Sequence, residues 1–225
     1  MLETIFLPYL VPYYAQIASP ELAAAIFIEG LDPVHDPLWA ESGAESPQEY
    51  AYWVERACGV ACLKMGVEAL GGPRRTLIEW ARQGVERGGY LIRRAPDGSQ
   101  HEVGWIHRAL AEMAIETGLS AEARAASLRE IGEFVRQGSL VIASVSYEAG
   151  DDNVPITKQG GHLMVVMGVE LQDGEPLAFY VNNPSGRRAN LQAGARLPLG
   201  RFGPAYSGRV ILMRRETYPD TANPS

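Results

Sequence analysis

With 225 residues, 46% of them apolar and 21% charged, the chain has enough material for one well-buried soluble domain. A formal charge of −7, with basic pairs scattered at Arg74-Arg75, Arg93-Arg94, Arg187-Arg188 and Arg214-Arg215, excludes the clustered basic stripe that a nucleic-acid partner requires. Two cysteines four residues apart make no disulfide framework and point to free thiols in a reducing compartment; no signal peptide and no run of the ~18 apolar residues that span a membrane is visible, so a cytoplasmic location is expected.

Residues 7–16, rich in Pro and Tyr, read as extended chain. Ser19-Pro20-Glu21 starts a short apolar helix over 22–28 that Gly30 ends, and 31–43 is a loop whose Leu38 and Trp39 pack back onto the body. Ser46-Pro47-Gln48-Glu49 is a capping box opening a helix to Glu55, with Tyr50, Trp53 and Tyr52 as its aromatic face. Next comes Ala57-Cys58-Gly59-Val60-Ala61-Cys62. It leads a helix to about Leu70 with Val60, Leu63, Val67 and Leu70 on one face, and Gly71-Gly72-Pro73 stops it.

Thr76-Leu77-Ile78-Glu79 starts another amphipathic helix ending near Gly88-Gly89. Residues 89–102 form a small hairpin or irregular loop about a turn at Pro96-Asp97-Gly98-Ser99, and 105–117 are helical. Ser127-Leu128-Arg129-Glu130 caps a helix to Gln137. The pattern then turns extended: a strand at 140–147, a polar loop at 151–161, strands at 162–171 and 177–182 about Gln172-Asp173-Gly174-Glu175, and a last strand at 207–214 before a frayed tail from Thr217. Helices first and strands second imply an α+β fold in one domain, 1–225.

The chemistry centres on Cys58. A thiol at a helix start meets unpaired N–H groups and a partial positive charge, which favour the thiolate. A thiol nucleophile needs an imidazole to carry its proton and a polar group to orient that imidazole. His35 and His101 fall in polar loops and His107 in a helix, whereas Gly160-Gly161 leaves open space before His162 at a strand mouth. With a turn centred on Asp173-Gly174, positions summing to about 347 face each other, so His162 opposes Ser185 with Asn183 diagonal to it and Asn182 on the other face. An odd-length turn would exchange the two asparagines. Cys62, one helical turn below, reads as a small buried hydrophobe, with a redox partner or a zinc ligand as the alternatives.

Four blocks (residues 11–16, 57–63, 161–168 and 181–184) occur in the order found in papain-like cysteine peptidases, and resemble most the bacteriocin-processing, double-glycine leader peptidase branch and its stand-alone relatives. The resemblance implies a papain-like α+β fold, a helical part carrying the nucleophile on a twisted antiparallel sheet. It makes Cys58 the nucleophile, His162 the general base, Asn183 (aspartate in many relatives) the orienting group, and Gln16 the oxyanion donor, with Gln48 and Gln159 as alternatives. The substrate implied is a peptide or protein, with no cofactor and no metal. The roughly 40 residues between Gln16 and Cys58 mark an insertion at about 19–55 that would cover or shape the cleft. Acyl transfer by the same triad and a non-catalytic binding module are the rival functions; nothing in the sequence specifies an oligomeric state.

Overall fold

Side-chain caps fix three α-helix starts, at Ser46, Thr76 and Ser127. In this computed structural model, which describes residues 1–95 and 97–216, Leu2–Phe6 is β1, and a 3-10 turn at Pro20–Leu22 leads into α1, Ala23–Phe27. Ser46 Oγ accepts the Glu49 N–H at the start of α2, Pro47–Val54. The Glu49 carboxylate, however, turns to the Glu45 N–H, so this capping box is only half made. Next come α3, Cys58–Ala69, and α4, Leu77–Glu86, whose Thr76–Glu79 box is complete. β2, Tyr90–Arg94, and β3, Gln100–Trp105, form the small hairpin. Pro96 of its turn and the tail from Thr217 lie outside the described residues.

α5 is His107–Ile115, β4 Leu119–Ala125 and α6 Leu128–Arg136, the last opened by a second complete box from Ser127 and Glu130. β5, Leu140–Val145, β6, His162–Gln172, and β7, Glu175–Asn182, follow; β8, Ala195–Pro198, α7, Leu199–Ala205, and β9, Tyr206–Arg215, close the chain. The large sheet is antiparallel, ordered β4-β9-β5-β6-β7-β8. β5 pairs with the first half of β6 and β1 with its second half. The architecture is thus mixed helix and antiparallel sheet, with α3 against β5 and β6.

α3 is buried on nearly all sides, not on the single face its periodicity indicates: Val60, Ala61, Cys62, Leu63, Met65 and Val67 have no exposed surface. A helix this apolar all round is a core helix, and each large side chain so enclosed contributes about 1.5–3 kcal/mol. Residues 19–55 give Trp53 to this core and otherwise build a smaller one from Ala23, Ile26, Tyr50 and Val54 with Ile17. Its polar centre is the buried Asp36, which accepts from the Ser19 N–H and hydroxyl, from the Tyr50 hydroxyl and from the Leu38 N–H. Trp39 packs on this cluster, whereas Leu38 and Tyr52 are exposed.

Candidate active site

Cys58 is the first residue of α3 and is partly exposed. Its position is set by Trp105 at the end of β3. The indole N–H donates to the Arg56 carbonyl at 2.6 Å, and the ring lies so close to Gly59 that a Cβ there would be 2.6 Å from it. Only glycine after the cysteine lets the helix start approach the ring. Trp53 and Tyr90 complete the aromatic wall behind Trp105.

His162 opens β6, and its register with β7 decides its neighbours. Asp173 and Gly174 both have positive φ, as a two-residue hairpin turn requires. The pairing starts at Gln172↔Glu175, slips by one residue between Glu170 and Leu171, and slips back between Val166 and Gly168. The two bulges cancel, so at the far end Val165 again faces Asn182 on the register counted from the turn. Beyond it, His162 Nε2 lies 2.9 Å from Asn183 Oδ1 and 3.1 Å from Ser185 Oγ. Asn182 faces the other way, its amide donating to the Val11 and Pro12 carbonyls and accepting from the Gly194 N–H.

The Ser185 backbone N–H donates to Asn183 Oδ1 at 3.2 Å, which fixes that amide's orientation, since a backbone N–H can only donate. The proton between His162 and Asn183 therefore sits on Nε2, leaving Nδ1 as the basic nitrogen. His162 and Cys58 line one cavity of about 260 Å³, with Trp105, Ser144, Gly161 and His107 among its other walls. An Arg56–Glu102 ion pair crosses the same space, Glu102 also accepting from the Tyr90 hydroxyl.

The electrostatics correct one expectation. The helix start was expected to lower the Cys58 pKa, yet burial pushes it up to about 11, outweighing the N–H groups of Leu163, Gly59 and Cys58 itself, which face the sulfur and favour the thiolate. Burial likewise lowers His162 to about 4, opposed by the Asn183 bond and aided by the charge of Arg187. Burial thus disfavours the charged form of both groups. Cys62 is fully buried, and burial raises its pKa well above the ordinary value, as for a packed thiol.

Gln16 does not line this cavity. It is buried, its backbone N–H donates to the Pro184 carbonyl, and its Nε2 donates to the Val54 carbonyl at 2.6 Å, tying the two ends of segment 19–55. Its Oε1 is buried without a partner among the described residues. Neither Gln48 nor Gln159 lines the cavity. His35 and His101 are also absent from it, but His107, which the sequence pattern assigned to a plain helix position, is half-buried in its wall. Burial and the neighbouring charge of Arg209 lower its pKa.

The sequence also left unread what holds Asn183. The Glu148 carboxylate accepts from the Ser146 and Thr157 hydroxyls and from the Thr157 and Lys158 N–H groups, which lower its pKa to about 2. Arg201 gathers the Glu148, Asp151 and Val154 carbonyls. Together they fold loop 146–158 so that Gly150 lies against the Asn183 amide, where an added Cβ would be 2.2 Å from Nδ2. Among the described residues, no group of three or more His, Cys, Asp or Glu is arranged to hold a metal ion, and no helix is long and apolar enough to cross a membrane.

No protein-family model matches the chain, and no curated protein sequence matches it. Solved double-glycine peptidase domains are similar to it. One is a double glycine motif protease from an AMS/PCAT transporter, solved with the leader peptide: 15% identity, 70% of this chain and 84% of that one covered, TM-score 0.45. A second is the peptidase domain of Streptococcus ComA, a bi-functional ABC transporter of a quorum sensing pathway: 14% identity, 72% and 93% covered, TM-score 0.46. A third is the N-terminal peptidase C39-like domain of a toxin secretion ATP-binding protein from Vibrio parahaemolyticus, at 19% identity, 48% and 68% coverage and TM-score 0.33. At these scores the functional reading rests on the site's own residues.

Proposed function

We propose that the chain is a cysteine peptidase or amide hydrolase of papain-like organisation, acting through Cys58, His162 and Asn183. The observation that carries this reading is the Nε2–Oδ1 bond of His162 and Asn183 at 2.9 Å, at a cavity that Cys58 also lines. With Nε2 occupied, Nδ1 is the nitrogen left to take the Cys58 proton. With burial disfavouring both charged forms, proton transfer accompanies attack: as sulfur bonds to the substrate carbonyl carbon, its proton passes to His162, and the imidazolium then protonates the leaving amine. Water, deprotonated by the same imidazole, releases the acyl group and restores the thiol.

The developing oxyanion needs preorganised donors. The start of α3 carries no side-chain cap, so the Cys58 N–H is one candidate. Gln16 is the second: one hydrogen of Nε2 is on the Val54 carbonyl, which leaves the other to donate. The chain is read as one peptidase domain in which 19–55 is an insertion on its own small core. The peptide class of substrate comes from the resemblance of the motif blocks around Gln16, Cys58, His162 and Asn183 to leader peptidases.

The test is incubation of the protein with a defined peptide library and mass spectrometry of the products. Cleavage by the wild type and none by a folded Cys58→Ala variant is expected. Undiminished cleavage by Cys58→Ala would sink the reading.

A further inference from the structure

The space around Cys58 and His162 does not end at the thiol. A second cavity of about 630 Å³ shares Ser144, Gly161 and His107 with the first and continues past them to Arg108, Arg124 and Arg209. No aspartate or glutamate lines it. Arg108 is paired with Glu112, and Arg124 lies 3.6 and 3.7 Å from Glu122 and Glu130. Arg209, exposed in β9, has no carboxylate partner among the described residues. On a protein of net charge −7 this is a locally cationic recess adjoining the cavity that Cys58 lines, with Ser144, Gly161 and His107 as walls common to both.

We propose that this second cavity is a specificity pocket for an acidic side chain of the substrate peptide, with Arg209 as its principal ligand. The proposal rests on the cysteine-peptidase reading and extends it to substrate choice. A carboxylate entering the pocket would meet a planar guanidinium able to bind both its oxygens, without having to displace an existing partner. Arg108 and Arg124, although paired, keep the recess free of negative charge, and a lysine-bearing substrate would be repelled there. The Arg56–Glu102 pair in the first cavity offers no such free charge, which places the preference on the Arg209 side of the thiol.

Tripeptidyl chloromethyl ketones test this without a known substrate. Glu, Gln or Lys is placed first, second or third from the ketone, the other residues being alanine. Cys58 sulfur displaces chloride to form a thioether, chloride leaves, and the thiol proton passes to His162. Second-order rates are read by intact mass, and peptide mapping locates the adduct.

At low ionic strength the wild type is expected to favour Glu over Gln by about tenfold at one placement, the effect of one charge-assisted hydrogen bond. The ratio should fall to about one in Arg209→Gln, invert towards Lys in Arg209→Glu, and persist in reduced form in Arg209→Lys. A ratio near one at every placement, or one that Arg209 substitutions leave unchanged, overturns the proposal while leaving the peptidase reading standing. No alkylation of Cys58 by any probe overturns both.

Discussion

Replacing Asn183 by alanine tests the orienting role most sharply, because the structure says what is lost and what remains. Asn183 Oδ1 accepts from His162 Nε2 in buried surroundings and from the Ser185 N–H in part-buried ones. Leaving a buried donor without a partner costs about 1–3 kcal/mol. The Ser185 N–H would be orphaned, whereas the imidazole could fall back on Ser185 Oγ at 3.1 Å. Asn183→Ala should therefore lower stability by about 1–3 kcal/mol and, with the imidazole less firmly held, lower kcat by about ten- to a hundredfold.

The fallback makes a double-mutant cycle decisive. Ser185→Ala alone should change kcat by less than about threefold, but in the Asn183→Ala background it should cost clearly more, a coupling of roughly 1 kcal/mol. Denaturant unfolding and initial rates on a library-derived peptide supply both readouts. An Asn183→Ala variant with kcat within twofold of wild type, or an additive cycle, would refute the reasoning.

Other substitutions probe the supports. Gly150→Ala puts a Cβ 2.2 Å from Asn183 Nδ2, so it should destabilise by about 1–3 kcal/mol and depress kcat; chemical denaturation with parallel rate measurements checks both. Gln16→Ala should lower kcat by about a hundredfold if its amide serves the oxyanion, whereas a lower unfolding midpoint with kcat retained would reduce it to a tie on the Val54 carbonyl. Acid should also weaken the fold through His162. Its folded pKa of about 4 lies below the ordinary 6.5, so the unfolded state binds more protons between those values. Stability is then complete above about pH 6.5 and falls by roughly 3 kcal/mol by pH 4; denaturant titrations of wild type and His162→Gln at pH 7, 5.5 and 4.5 should show this loss only in the wild type.

What the sequence revealed and what it concealed divide along the range of the interactions. Caps at Ser46, Thr76 and Ser127 are contacts within four residues and were readable as such. The facing of His162 and Asn183 was readable for a less secure reason. Counting from the Asp173-Gly174 turn assumes an unbroken ladder, and the count survives because two opposite bulges restore it. β4 was not read because Leu119–Ala125 is rich in alanine, glutamate and arginine, and only pairing with β9 makes it a strand. α7 was missed because Gly200, Gly203 and Pro204 argue against a helix. β1 is mostly exposed and lacks an apolar face, so nothing local marks it.

The site shows the same limit. Placement of Cys58 at a helix start was legible, but its pKa depends on burial that assembles only in the folded chain, which is why the expected depression became a rise to about 11. The Val54 bond of Gln16 and the presence of His107 in the cavity wall are likewise products of tertiary packing.

The pairing of Cys58 with His162 is the central claim, and the pH dependence of Cys58 alkylation by iodoacetamide measures it directly. With the adduct located by mass spectrometry, wild-type rates should rise in two steps, as His162 loses its proton near pH 4 and again as the thiol ionises near 11. In His162→Ala the lower step should vanish and only the upper one remain. Identical profiles for the two proteins would contradict the account.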